Sequence, residues 1–255
     1  MSSTQELKQR ALNVIDSMRN DLIRISTTIH ANPEIAFQEF KSAAFLCETL
    51  GSHGFAVERG AGGLETAFIA EAKGNGTGPN IAILAEYDAL PDIGHACGHN
   101  IIGTSAIAAG IAVKEVIKEL PGRVTVIGTP AEEGGGGKLI LLEHGVFNDV
   151  DAAMMVHPAS RTMVDRKSLA SVRLKIEFNG KASHAASAPE DGINALEAVI
   201  LTFNNVNALR LHLKSDARVH GIINNGGSAA NIIPEYAAAT FRPRHRNDAN
   251  EVLGA

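Results

Sequence analysis

Residues 84–100 read LAEYDALPDIGHACGHN, and this stretch decides how the rest of the chain is understood. The apolar run at 81–85 predicts a strand that ends in two carboxylates, Glu86 and Asp88. A proline-containing loop then leads to Cys97-Gly98-His99. A thiolate and an imidazole two residues apart can reach one cation, and the glycine lets the backbone bend closely around it.

Upstream, apolar residues recur at helical spacing from Leu7 to Ile29, which predicts one helix over 5–30, stopped by the residue before Pro33. A second helix is expected over 37–50, then strands at 55–57 and 66–72. Downstream, 103–119 reads as a helix with small residues on one side. A buried-type strand at 124–128 delivers Glu132-Glu133 and the run Gly134–Gly137. After a helix at 138–145, a strand at 152–156 delivers His157. Strands alternating with helices predict an α/β sheet with parallel strands at its centre.

In such a sheet ligands bind beyond the carboxyl ends of the strands. Three predicted strands end in metal-type residues: Cys97 and His99, Glu132 and Glu133, and His157. Singly, each has an ordinary explanation: a buried thiol, a loop histidine, a solvated acidic pair. Their shared location favours a metal site, with one glutamate of the pair free to move a proton while the other ligates. The mixed soft and borderline donors suit zinc, with manganese, cobalt or nickel as alternatives.

Beyond residue 160 the pattern changes. An alternating strand at 171–178, a loop, a long helix at 191–213 and strands at 219–224 and 236–241 give a β-α-β-β order of ferredoxin-like type, and another helix is expected from Asn247. The domain boundary is placed near 160–170, giving domains 1–167 and 168–255.

Bulk composition narrows the function classes. The formal net charge of −5 offers no basic stripe for nucleic acid, and the absence of tryptophan argues against a base-stacking platform. Two cysteines make no disulfide framework, and no signal-type or spanning run stands out in the sequence. A cytoplasmic chain without a membrane or nucleic-acid partner is expected.

The segments HANPEIAFQEF (30–40), EYDALPDIGHACGHN (86–100), GTPAEEGGGGK (128–138), MMVHP (154–158), GKASHAASAPEDGINALEA (180–198) and NIIPEYAAATF (231–241) together resemble the aminoacylase/carnosinase superfamily of dinuclear metallo-amidohydrolases. The similarity is to the branch with hippurate hydrolases, indole-acetyl-amino-acid hydrolases and a subunit of aminobenzoyl-glutamate hydrolase. It implies a zinc-peptidase-like α/β/α catalytic domain with an inserted ferredoxin-like α+β lid and dimerisation domain.

By motif, the resemblance makes Cys97 a bridge between two divalent metals, His99 and His157 ligands of one metal each, Glu133 a carboxylate ligand and Glu132 the general base and acid. Asp88 would orient a ligand. Other branches carry a ligating histidine where this chain has Glu86, which fits a cysteine-bridged site. His184 would polarise the scissile carbonyl in a partner subunit, and Asn231 and Arg244 would hold the substrate. Arg242 stays open beside Arg244, because Pro243 between them cannot donate to a strand ladder.

Relatives continue beyond the position of Ala255 with a further metal-binding histidine, so a truncated chain is expected. The implied activity is hydrolysis of N-acyl- or aminoacyl-amino acids by a homodimer. The competing reading is a catalytically silent fragment that dimerises or binds a ligand. A site holding one metal is a third reading.

Overall fold

The computed structural model describes residues 2–164 and 169–245. They fall into two compact units, Met1–Arg161 and Thr162–Ala255.

The first unit opens with helices α1 (Thr4–Ser17) and α2 (Arg19–Ala31), followed by α3 (Phe40–Ser52). The predicted single helix over 5–30 is therefore broken. Met18 closes α1 and opens α2 with ψ at 0°. Beside it the Ser17 hydroxyl donates to the Val14 carbonyl, a local bond that competes with helix continuation. α3 starts three residues later than expected because Phe37 has φ of 62°, outside the helical region. The Glu34 carboxylate then accepts the Lys41 and Ser42 amides and so caps the helix from outside it.

Strands β1 (Ala56–Arg59), β2 (Phe68–Lys73) and β3 (Asn80–Ala85) lead to helix α4 (His99–Ile117). β4 (Arg123–Gly128), α5 (Gly137–Glu143) and β5 (Ala152–Met154) complete the unit. The sheet order is β1-β2-β4-β3-β5. β3 runs parallel to β4 and β5, whereas β1 and β2 are antiparallel additions on the far side of β4. β3 and β4 are buried almost throughout, as expected for parallel strands covered on both faces.

One face packs Phe68, Val124 and Val126 against Ile25, Leu46, Ile107 and Ile111 of the helices. The other sets Ala82 and Ile127 against Leu141 of α5. α4 is long and apolar enough by length and composition to cross a membrane, but 67% of it is buried inside the protein, as for a core helix.

In the second unit, β6 (Ala170–Ser171) and β7 (Leu174–Asn179) replace the single strand expected over 171–178. β8 (Ser183–His184), α6 (Ala195–Leu209), β9 (Arg218–Asn225), β10 (Ile232–Ile233) and β11 (Tyr236–His245) follow. β11 is central: it pairs antiparallel with β6, β7 and β9. The break between β6 and β7 lies opposite Pro243, which has no N–H to donate and only accepts, from the Val172 amide. β11 nevertheless runs through Pro243, four residues beyond the expected end.

α6 covers one face of this sheet, with Val199 and Phe203 against Val219 and Phe241. It is shorter than the predicted 191–213 because its flanks are 3-10 turns at Pro189–Asp191 and Arg210–His212. Asn194 caps its start by accepting the Leu196 and Glu197 amides. The helix expected from Asn247 lies outside the described residues.

Candidate metal centre

β4, β3 and β5 are neighbours and parallel, so their carboxyl ends open at one edge of the sheet. Glu86 and Asp88 follow β3, Glu132 and Glu133 follow β4, and His157 follows β5. His99 is the first residue of α4, four positions before the expected start of that helix. The earlier start depends on Gly98, which has φ of 77°. A Cβ there would lie 2.9 Å from Pro158 Cγ, so glycine both permits the turn and admits the His157-Pro158 segment. The ring centroids of His99 and His157 are 5.8 Å apart, edge to face.

Asp88 organises the centre. One carboxylate oxygen lies 2.9 Å from His99 Nδ1, and the other accepts the Glu133 amide at 2.9 Å. With Nδ1–H donating to Asp88, the lone pair of His99 sits on Nε2, the arrangement that second-sphere carboxylates impose on ligating histidines. That Nε2 is buried and has no hydrogen-bond partner, and neither does Glu86 Oε2, 3.3 Å away. Two buried acceptors facing each other call for a positive charge between them.

Two triads of donors converge here, Glu86–His99–His157 and His99–Glu132–Glu133, each with its donor atoms within 4.8 Å of one another. Among the described residues Cys97 falls outside both triads, but it bonds to the Glu133 carboxylate.

The local field is strongly negative. Hydrogen bonding to Glu133, then burial, then the carboxylates Glu133, Glu132 and Asp88 push the Cys97 thiol up to about 11. Burial, then Glu86, raises the carboxyl of Glu132 above its ordinary range. Burial would lower the pKa of His99, but Asp88, Glu86 and Glu133 outweigh it and raise it. Burial would likewise raise Asp88, yet its bonds to His99 and to the Glu133 and Glu132 amides hold it low. A field that draws a proton onto His99 and keeps a thiol protonated would attract a divalent cation in the same way. The donor set of thiol, imidazoles and carboxylates fits one.

Two contributors, Glu39 and Lys138, are not apparent from sequence spacing. Glu39 is fully buried and accepts from the Ala131 amide at 2.9 Å, the Phe37 amide at 3.0 Å and the Thr66 hydroxyl at 2.9 Å. It pins Ala131, whose φ is 57°, directly before Glu132. Glu86 is buried and takes the Lys138 ammonium on its other oxygen. Glu39 lies within the HANPEIAFQEF segment, but no local pattern points it at a loop 92 positions away.

The remaining sequence-derived residues belong to the second unit. The Ala186 and Ser187 amides donate to His184 Nδ1 at 3.2 and 3.3 Å, which leaves Nε2 as the protonated, donating nitrogen. β8 pairs with β10 so that His184 faces Ile232, and the Ala185 amide donates to the Asn231 carbonyl. Histidine and asparagine are thus brought side by side. Arg242 and Arg244, two apart on β11, share the sheet face away from α6, and Arg244 is the less exposed.

A profile described as peptidase family M20/M25/M40 matches residues 82–222, more than half of the chain. Xaa-Arg dipeptidase of Mus musculus is 40% identical over 249 residues, covering 92% of this chain and 57% of its own length. A p-aminobenzoyl-glutamate hydrolase subunit of Escherichia coli (strain K12) is 39% identical, covering 93% of this chain and 53% of its own length. The chain thus spans a little over half of these curated relatives. A Bacillus subtilis protein, YXEP, whose crystal structure is described as that of a dinuclear metal binding peptidase, matches with a TM-score of 0.67 at 25% identity, over 94% of this chain and 67% of its own. By this match, and by the donors gathered at the ends of β3, β4 and β5, the chain belongs to peptidase family M20/M25/M40.

Proposed function

We propose that the chain carries the chemistry of a metal-dependent amidohydrolase that cleaves the amide bond of N-acyl- or aminoacyl-amino acids, dipeptides and aminobenzoyl-glutamate-like compounds included. The observation that carries this reading is the buried, unpartnered His99 Nε2, fixed by Asp88 and ringed by Glu86, Glu132, Glu133 and His157. The activities for which the Xaa-Arg dipeptidase and the aminobenzoyl-glutamate hydrolase are named support the substrate class.

Two divalent cations, zinc foremost with manganese, cobalt or nickel as alternatives, would be held by Cys97, His99, Glu133 and His157. When bound they supply Lewis acidity toward the scissile carbonyl and acidify the attacking water. Glu132 takes the proton of that water and returns it to the leaving amine; partial burial favours a carboxyl that can hold a proton between the two events. His184, protonated on Nε2, reaches the active site of a partner subunit and donates there to the carbonyl oxygen as charge develops on it. Asn231 binds the substrate carboxylate or carbonyl, Arg244 or its neighbour Arg242 binds the substrate carboxylate, and Asp88 keeps His99 in its ligating tautomer.

The second unit would mediate a homodimer. β9 is an edge strand with Ile222 and Ile223 exposed, the kind of edge a second copy extends. Light scattering at micromolar concentration should give twice the chain mass, and a monomer at all concentrations would remove this part of the reading.

The decisive test is Glu132→Gln, assayed on a panel of acyl-amino acids and dipeptides alongside metal analysis. Turnover should fall by at least about 100-fold with metal content nearly unchanged. Retained turnover in this variant refutes the role of Glu132. A wild-type chain that neither binds metal nor hydrolyses any member of the panel returns the silent dimerising or ligand-binding module.

A further inference from the structure

Glu86 has no role in the chemistry set out above, yet it is an almost fully enclosed carboxylate. Its side chain is 2% exposed, beside a His99 that is 1% exposed. The Lys138 ammonium, carried by the first turn of α5, occupies Oε1. Oε2 has no hydrogen-bond partner and points at His99 Nε2, 3.3 Å away, which has none either. In the tautomer that donates Nδ1–H to Asp88, Nε2 carries a lone pair, so both atoms that face each other are acceptors until a cation or a second proton lies between them. One donor atom from His157 lies within 4.8 Å of both. A structural ion pair with Lys138 explains only half of the glutamate. A carboxylate needed simply to neutralise a lysine would not aim its second oxygen at an imidazole lone pair in a buried pocket.

We propose that Glu86 is a ligand of the cation held by His99 and His157, and that Lys138 sets the strength of that ligand by neutralising its other oxygen. The inference rests on the metal-site reading above and adds a carboxylate to it. With Lys138 in place, the buried carboxylate is a weakened donor, and the site holds its ion less tightly than the same ligands would without the lysine.

The two residues then have opposite effects on affinity, and the loss with Glu86 is that of a ligand. If Glu86 and Lys138 served only each other, removing either would damage the site in the same direction.

The test is a competition titration of Zn²⁺ against a chromophoric chelator at fixed pH. It uses the 255-residue chain as wild type, Glu86→Gln, Lys138→Met and the double variant, each checked for native far-ultraviolet circular dichroism. Glu86→Gln should weaken the binding of one ion by at least about tenfold, and Lys138→Met should tighten it several-fold. The double variant carries no unpaired charge and covers the case in which Glu86→Gln alone does not fold. It should bind at least about tenfold more weakly than Lys138→Met. Equal affinity of the double variant and Lys138→Met overturns the inference, as does an equal weakening by both single changes. A wild-type chain that binds no Zn²⁺ overturns the metal-site reading together with this one. Wild-type binding with an indifferent Glu86 overturns this inference alone.

Discussion

Glu39 gives the sharpest handle on how the loop that carries Glu132 is held, and Glu39→Ala is the perturbation to make. The change removes acceptors from three groups: the Ala131 amide, the Phe37 amide and the Thr66 hydroxyl. Ala131 is fully buried and Thr66 nearly so, whereas Phe37 is partly exposed and its amide can reach water. A buried donor left without a partner costs about 1–3 kcal/mol. The Ala131 amide carries that in full, and the threonine hydroxyl carries less because it can rotate. Ala131 also loses one of the bonds that hold it at φ of 57°, so the loop can relax out of a conformation that costs an L-residue about 1–2 kcal/mol, which offsets part of the loss and moves Glu132. Together these predict a loss of about 1–3 kcal/mol, or a fall in Tm of roughly 2–12 °C for a domain of this size. Glu132 follows Ala131 directly, so kcat should fall as well.

Glu39→Gln separates hydrogen bonding from charge. Its amide oxygen can still accept both N–H groups, and its NH2 can donate to a Thr66 hydroxyl turned to accept. The expected loss near pH 5 is below about 1 kcal/mol. The pH dependence has a definite sign. Burial raises the carboxyl pKa of Glu39 in the folded chain above its unfolded value. Its stabilising contribution is therefore full below the unfolded pKa and is lost as pH rises through the folded pKa. Glutamine has no such loss, so the stability of Glu39→Gln relative to wild type should improve as pH rises from about 4 to 8. Thermal and urea unfolding across that range provide the assay. A Glu39→Ala chain that melts within a degree of wild type would refute the clamp. A glutamine variant that loses ground with rising pH would refute the electrostatic half of the reasoning.

Two further outcomes follow from the same geometry. Asp88→Asn offers one acceptor oxygen where His99 Nδ1–H and the Glu133 amide need two, so metal affinity measured by chelator competition should drop about 10–100-fold with the fold intact. Gly98→Ala places a Cβ 2.9 Å from Pro158 Cγ at a positive φ and should weaken both metal binding and stability. Adding Pro158→Gly removes the contacting atoms and should restore part of the metal affinity while leaving the backbone strain of about 1–2 kcal/mol.

The parts of this architecture legible in the sequence are those encoded locally. The apolar runs that became β3 and β4 mark buried parallel strands, and chemistry-bearing residues directly after them must share the sheet edge once the strands are neighbours. That is why His99, Glu132, Glu133 and His157 could be grouped from the sequence alone. The kink at Met18 was hidden because the apolar stripe runs on across it with no proline or glycine to mark the break. The early start of α4 was hidden because the sequence does not show that Gly98 takes the left-handed conformation that launches a helix directly at His99.

The supports of the centre were illegible for a different reason. Glu39 reaches Ala131 across 92 positions and Glu86 reaches Lys138 across 52, and no local period carries such a pairing. Their chemistry is nevertheless constrained by burial. An acidic side chain with no access to water must find donors or cations, and the donors of Glu39 are all accounted for by backbone amides and a hydroxyl. Glu86 differs in this one respect. One of its oxygens is matched and the other is not, and the unmatched one faces the imidazole nitrogen of His99 that Asp88 leaves open. The contrast between two equally buried glutamates therefore separates a residue that builds the loop from one that meets the ion.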